Sequence, residues 1–176
     1  MSSTKYGIVM GVIIVLGFGL LYSLYSFLES DLDEGLYFCE KENCYWAPGD
    51  MHASVTIKIC GQEVPLPKNF GSDQEVHTHR EKNVLHFEYR LAANIETKKI
   101  LDTSPLQLGT FFRKANITFN ENCLGSTCNG MLCAGKKAEL YMLVNGKESS
   151  TFERYVWSDK DRIEINFEAV ESEDYE

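Results

Sequence analysis

Hydrophobic and polar residues alternate along several short segments of the chain, which is the pattern of strands with one buried face. The alternating segments are residues 55–60, 63–67, 138–144 and 162–167. The dipeptides Gly61-Gln62 and Asn145-Gly146 are tight-turn sequences, and each directly follows one of these segments. The pattern therefore predicts an opening β-hairpin and two further strands nearer the C-terminus.

A second pattern, with the periodicity of an amphipathic helix, begins at Ser104-Pro105. Serine is a good N-cap residue, and proline is tolerated in the first helical turn. Apolar residues then recur at spacings of three and four, at Leu108, Phe111, Phe112 and Ala115. With the strands around it, this segment predicts an α+β fold in which a mixed sheet packs on one amphipathic helix.

The longest apolar run covers residues 6–28, which carry no charge and are long enough for a helix to cross a bilayer. Lys5 precedes the run, and acidic residues follow it from Glu29 onward. This asymmetry predicts a single-pass membrane protein with its N-terminus inside and its body outside the cytoplasm. A cleaved signal peptide is the alternative, but the run exceeds the usual length of about 7–15 residues and no Ala-x-Ala-like site follows it.

The chain is acidic, with 17 Lys and Arg against 26 Asp and Glu and a net charge of −9. Nucleic acid is not expected as a partner, because polyphosphate binding needs a concentrated basic face. A membrane, and through it another membrane protein, are the expected partners. The predicted organisation is an anchor at 1–29, a juxtamembrane segment at 30–54, an extracytoplasmic domain at 55–168 and an acidic tail at 169–176.

All six cysteines follow the apolar run. An even number of cysteines in a segment predicted to lie outside the cytoplasm predicts three disulfides, and the spacing leaves their pairing open. A zinc knuckle built on Cys123, Cys128 and Cys133 is the competing interpretation. It is disfavoured because its spacing is wider than the usual Cys-x-x-Cys and no histidine lies nearby to complete a tetrahedral set.

Three of the four histidines fall in one segment, HTHREKNVLHFE, at residues 77–88. If the chain reverses at Lys82-Asn83 as a tight hairpin, His79 lies opposite His86 and His77 lies opposite Glu88. Because side chains alternate along a strand, all four would share one face, with opposed Cβ atoms about 4.5–5.5 Å apart. The segment therefore predicts a metal site, and imidazole with carboxylate suits Cu or Zn. Its predicted ligands are His77, His79, His86 and Glu88.

This prediction depends on the register of the hairpin. A loop one residue longer would place His79 and His86 on opposite faces, and strand surfaces also carry histidines that are solvated or hydrogen-bonded to Glu. His52 lies outside the segment and is interpreted as a lone exposed histidine. The alternative is that it completes the site, with the neighbouring Met51 as a soft ligand for copper.

Two segments near the C-terminus, LYMLVNGK at 140–147 and WSDKDRIEI at 157–165, resemble the Asn-Gly turn and closing strand of the β-grasp sulfur carriers related to ubiquitin. The resemblance implies a β-grasp-like domain over 55–168, with the histidine segment as an inserted hairpin. Sulfur carriers act through a C-terminal Gly-Gly, whereas this chain ends in Tyr175-Glu176. Sulfur carriage is therefore not implied.

A second resemblance rests on HTHREKNVLHFE, LQLGTFFRKANITF and LVNGK together. These segments resemble a group of membrane-anchored archaeal and bacterial proteins that carry an HTHD-x-x-G-x-IH-x-E segment and an LGQFF-like helix. The group has no assigned reaction, so the resemblance implies only the fold and the same histidine and glutamate set. Here Arg80 replaces an Asp and Asn83 replaces a Gly; Asn tolerates positive φ, so the turn is retained.

Together these observations predict a membrane-anchored extracytoplasmic metal-binding protein that handles Cu or Zn through three histidines and Glu88. The alternative is a disulfide-stabilised interaction module, or an accessory subunit of a membrane protein complex, that binds no metal. An enzyme acting through a metal-bound hydroxide is a third hypothesis. It is disfavoured because no serine or cysteine nucleophile motif accompanies the site.

Overall fold

The computed structural model describes residues 14–22 and 35–170. The chain divides into two compact units, Met1–Glu34 and Gly35–Glu176. Helix α1 covers residues 14–22 in the first unit, and the strands, helix α2 and two short 3-10 helices belong to the second. The predicted acidic tail lies outside the described residues from position 171 onward.

Of the predicted membrane anchor, the described part is α1. Within residues 14–22 and 35–170, no helix has the length and apolar composition to cross a bilayer. The predicted transmembrane helix, and the single-pass location with the body outside the cytoplasm that followed from it, are therefore wrong on this finding. The rest of the apolar run lies outside the described residues.

A large sheet organises the second unit. Its strand order is β10, β11, β13, β3, β4, with β12 paired to β11 and β5 paired to β3. The strands are β3 Met51–Ile59, β4 Gln62–Val64, β5 Val84–Phe87, β10 Leu132–Cys133, β11 Lys136–Val144, β12 Lys147–Glu148 and β13 Arg162–Ala169. Strand β13 runs antiparallel to β11 and parallel to β3, so the first and last strands of this sheet in chain order lie side by side.

The turn residues place the hairpins close to where the sequence predicts them. Strands β3 and β4 form the opening hairpin, in which Ile57 pairs with Val64. Its turn is at Cys60-Gly61, one residue earlier than predicted, and both residues have positive φ. Strands β11 and β12 meet at the predicted Asn145-Gly146 turn, where φ is again positive at both positions.

One face of the sheet packs on helix α2, Leu108–Lys114. The helix buries three residues of its predicted stripe, Leu108, Phe111 and Phe112, in the same core as alternate residues of β3, β11 and β13. It is shorter than predicted, because a 3-10 helix occupies Ser104–Leu106 and Gln107 is the N-cap. Pro105 sits in that 3-10 turn rather than in the first turn of α2.

The predicted α+β class is wrong, because the described residues are 43% strand and 15% helix, which makes the protein mostly β with mixed sheets. Six short strands outside the large sheet contribute much of the difference. They are β1 Leu36–Glu40, β2 Asn43–Ala47, β6 Leu91–Asn94, β7 Lys99–Ile100, β8 Cys123–Leu124 and β9 Thr127–Cys128. The first four form a second sheet and the last two pair with each other. Strands β1 and β2 show no regular alternation of buried and exposed residues, and strands of two residues are too short to show one.

The predicted disulfides are confirmed. Two of them, Cys39–Cys44 and Cys123–Cys128, close the hairpins β1–β2 and β8–β9. The third, Cys60–Cys133, joins the end of β3 to β10 across 73 residues of sequence. The zinc-knuckle interpretation is therefore wrong, since the sulfurs of all three of its cysteines are bonded to other cysteines.

Candidate metal centre

Two neighbouring strands place His52 and His86 side by side on the face of the sheet away from the core. In β5, Leu85 and Phe87 are fully buried in the core, so the alternation directs His86 to the opposite face. Strand β3 has the same alternation about His52, and the two histidines are paired directly across the strands. Their ring centres are 4.4 Å apart in an edge-to-face arrangement.

His77 lies beside β5 at the edge opposite to β3. It forms an antiparallel bridge with His86 in which each backbone N–H donates to the other residue's carbonyl, at 3.0 and 2.8 Å. His52, His86 and His77 thus form a row across three adjacent segments. His79, two positions beyond His77, has its ring centre 4.7 Å from that of His77 and 4.4 Å from that of His86. All four histidines of the chain therefore form one cluster, which we call the histidine cluster.

The observed register differs from the predicted one. His77, and not His79, lies opposite His86, because the chain reverses over residues 79–83 rather than at a two-residue turn. Asn83, at φ 61, is held instead by the β3–β4 hairpin: its carbonyl accepts the Val55 N–H at 2.8 Å and its Oδ1 accepts the Leu66 N–H at 3.0 Å. A shift of two positions preserves the side-chain parity, so the imidazoles still meet on one face.

His77 is buried, with 3% of its surface exposed, and its tautomer follows from its contacts. Its Nδ1–H donates to the carbonyl of Glu75 at 2.8 Å, because a carbonyl only accepts. Nε2 therefore carries the lone pair, and it lies within hydrogen-bond distance, 3.3 Å, of Nε2 of His79. A backbone acceptor on one nitrogen is the usual support for an imidazole that binds a metal through the other.

On the side away from β5, the segment that carries His77 and His79 is hydrogen-bonded to residues 69–71. Phe70 and Thr78 exchange backbone hydrogen bonds, and the Thr78 hydroxyl donates to the carbonyl of Pro67 at 2.6 Å. Gly71, at φ +95, lies so close that a Cβ added there would be 2.8 Å from the Cβ of His77. The position of His77 is thus determined by backbone on both sides.

His86 is buried, with 6% of its surface exposed, and neither of its ring nitrogens has a hydrogen-bond partner among the described residues. The carboxylate of Glu81 comes only to 3.9 Å from Nε2. Burial lowers the pKa of His86, and repulsion from protonated His52, His79 or His77 lowers it further. Both effects favour the neutral imidazole, which carries a lone pair.

The side chains that could share an ion fall into two adjacent groups. The Asp50 group comprises Asp50, His52 and His86, and the Glu88 group comprises His77, His79 and Glu88. Within each group the candidate ligand atoms lie within 4.8 Å of one another. Two of the shorter distances are 3.2 Å from His52 Nε2 to Asp50 Oδ1 and 3.8 Å from His79 Nε2 to Glu88 Oε1.

The centre has a buried floor and an open rim. His77 and His86 form the floor, whereas the side chains of Asp50, His52, His79 and Glu88 are between 40% and 56% exposed. The backbone of His52 is nevertheless fixed, because its N–H donates to Asp159 Oδ1 at 2.8 Å and its carbonyl accepts the Lys160 N–H at 2.7 Å. A small solute can therefore reach the ligand atoms from the rim.

Sequence reasoning missed Asp50, and it placed His52 in the site only as the alternative to a lone exposed histidine. The available signal was the alternation of β3, which begins at Met51 rather than at residue 55 and places His52 on the outer face. The same alternation corrects the suggestion of Met51 as a copper ligand, because its side chain is buried in the core on the other face. The pairing of β3 with β5 has no local signal.

Comparisons of the chain with models of protein families, with curated proteins and with solved structures find no match. The function is therefore inferred from the chemistry of the histidine cluster and the two carboxylates beside it.

Proposed function

We propose that this protein binds a transition-metal ion, Zn or Cu, through His77, His79, His86 and Glu88, and that it serves in metal handling. The observation that carries the proposal is the imidazole of His86, whose two nitrogens are buried without a partner among three other imidazoles. A buried polar group without a hydrogen bond costs about 1–3 kcal/mol. A coordinated ion would remove that cost.

The distances between neighbouring ligand atoms support the proposal. Two nitrogens bound to tetrahedral Zn at about 2.0–2.1 Å are about 3.3 Å from each other. His77 Nε2 and His79 Nε2 are 3.3 Å apart, with their separation held by the backbone on both sides of His77. Glu88 is 3.8 Å from His79, and a small rotation of this half-exposed side chain brings it into the same coordination sphere.

The donor set favours transition-metal ions such as Zn and Cu(II) over Ca and Mg. Imidazole nitrogens suit Zn, Cu, Ni and Fe, whereas Ca and Mg prefer all-oxygen sites. Thiolate ligands are not available, because the six cysteines form three disulfides. One carboxylate with three neutral imidazoles leaves a divalent ion with a net positive charge, which the carboxylates of Asp50 and Glu81 at the rim would partly balance.

Metal handling fits this centre better than a purely structural role. The fold is already held by a continuous core and three disulfides. Half of the proposed ligands, His79 and Glu88, are half-exposed, so an incoming ligand can reach the ion. A centre that is accessible and not required for folding can load and release its ion.

The proposal is tested on the chain of residues 1–176, purified without a histidine tag, by calorimetric titration with Zn and Cu(II). We expect binding through the four proposed ligands, and we expect His79→Ala to weaken it at least about tenfold, because one imidazole ligand is lost. Thr56→Ala is the control, since Thr56 lies on the same outer face of β3 as His52 but four residues further along the strand, beside Glu164 of β13. Absence of binding, or equal affinity in His79→Ala, would contradict the proposal.

A further inference from the structure

Two members of the Asp50 group, Asp50 and His52, are not used by the proposed ion, although they offer the same kinds of ligand atom. His52 Nε2 and Asp50 Oδ1 are 3.2 Å apart, which is close to the separation of two ligand atoms on one tetrahedral ion. The third member of the group is His86. The same imidazole therefore faces two sets of ligands, one from β3 and one from the segment 77–79.

The position of β5 explains why His86 can serve both sets. Strand β5 lies between β3 and the segment of His77, and His86 is paired with His52 on one side and with His77 on the other. Its ring centre is 4.4 Å from that of His52 and 4.4 Å from that of His79. An imidazole has one nitrogen on each side of its ring, and here both are buried without a hydrogen bond.

We propose that the cluster binds two ions, with the imidazole ring of His86 between them and each of its nitrogens coordinated to one ion. This inference rests on the proposed function. Asp50 and His52 complete the second site, and His77, His79 and Glu88 complete the first. The first ion then has four protein ligands, whereas the second has three and keeps one position open to solvent at the rim.

The protonation of His86 follows from this arrangement. A neutral imidazole has one lone pair and one N–H, so the first ion takes the lone pair. The second ion binds the other nitrogen only when the N–H proton is released to solvent, which converts the ring into an imidazolate. The bridge therefore forms with net release of one proton from His86. The second site is the weaker one, because it needs this proton loss and has one ligand fewer.

Copper titration of the chain of residues 1–176 separates the two proposals. We expect two equivalents of Cu(II) per chain by elemental analysis after dialysis. The electron paramagnetic resonance signal should grow with the first equivalent and lose intensity with the second, because an imidazolate couples the two spins. No bound copper would overturn both proposals. One equivalent in the Glu88 group would overturn the two-ion inference and leave the proposed function intact.

Variants at exposed ligands test the assignment of each site without disturbing the core. His52→Ala and Asp50→Asn should each reduce the stoichiometry from two to one and keep the isolated-ion spectrum. His79→Ala should weaken the first site and abolish the coupling, and Thr56→Ala should change neither quantity. Two equivalents with no coupling would overturn the bridge, because independent sites would then hold the two ions. Two coupled equivalents in His52→Ala would also overturn the assignment.

Discussion

At the scale of single residues, the candidate centre depends on a few backbone positions more than on the ligands themselves. His77 is fixed by its bridge to His86, by its Nδ1–H bond to Glu75 and by the close approach of Gly71. Each of these contacts involves the backbone. The position of the His77 imidazole is therefore set before any ion arrives, which favours tight and selective coordination.

Gly71→Ala tests that residue-scale dependence. Alanine at φ +95 is strained, and its Cβ would lie 2.8 Å from the Cβ of His77, so the segment must move. We expect a loss of about 2 kcal/mol in the free energy of unfolding. We also expect a drop in metal affinity of about tenfold, as for loss of a supporting contact to a ligand. Urea unfolding and calorimetric titration measure the two quantities.

The matched control is Gly135→Ala. Gly135 has φ +84, close to that of Gly71, but a Cβ built there meets nothing within 4 Å. The backbone strain should therefore lower the stability while the metal affinity stays at the wild-type value. Equal affinity in both variants would show that the contact of Gly71 with His77 does not position the ligand.

At the scale of elements, the segment of residues 77–79 behaves as an additional strand of the sheet, bonded on both sides. It is hydrogen-bonded to β5 on one side and to the 69–71 segment on the other. Thr78, with 3% of its surface exposed, joins the two sides through its hydroxyl bond to Pro67. This double attachment lets two histidines at i and i+2 hold their rings 4.7 Å apart.

Thr78→Val removes that hydroxyl while keeping the side-chain shape. We expect a loss of about 1 kcal/mol in the free energy of unfolding, because a hydrogen bond is removed and the Pro67 carbonyl is left without it. The metal affinity should also fall, because the ligand segment loosens. Denaturant titration and calorimetry on the same preparation give both values.

Thr110→Val is the comparison for Thr78→Val. The Thr110 hydroxyl also donates to a carbonyl, that of Ser104 at 2.7 Å, but it lies on α2 outside the candidate centre. Its removal should lower the stability by no more than Thr78→Val does and leave metal binding unchanged. If Thr78→Val bound metal with wild-type affinity, the attachment of the 77–79 segment would not be what orders the ligands.

At the scale of the whole molecule, the covalent links are distributed unevenly. Two disulfides close hairpins in which the cysteines are five residues apart, whereas Cys60–Cys133 spans 73 residues and ties β3 to β10. A disulfide stabilises mainly by restricting the unfolded chain, and more so for a longer loop. Of the three disulfides, Cys60–Cys133 is therefore expected to contribute most to the stability of the sheet that carries His52.

Replacing both Cys60 and Cys133 by Ala should lower the free energy of unfolding by about 4 kcal/mol, on the chain-entropy model of a loop of this length. The control is the double replacement of Cys123 and Cys128, for which the same model gives about 2 kcal/mol. Urea unfolding without reductant measures both. A larger effect of the control pair would contradict the assignment of Cys60–Cys133 as the main covalent support.

The local features of this protein followed from its sequence. Alternation and turn residues placed β3, β4, β11 and β13, because one buried face imposes a period of two and positive φ favours Asn and Gly. The stripe of α2 and the number of disulfides were likewise readable from spacing. The spacing of His77, His79 and His86 also showed that their side chains share one face. Their role as metal ligands stays a proposal.

Only the tertiary structure decided the register and the partners. His86 pairs with His77 because Asn83 is held by the β3–β4 hairpin, and it lies beside His52 because β5 adds to β3 from more than 30 residues away in sequence. Pairing over such a distance depends on which core residues fit together, and no local pattern encodes that. The sequence alone determined which side chains could bind a metal, whereas the packing of Leu85 and Phe87 against β3 brought all four imidazoles to one place.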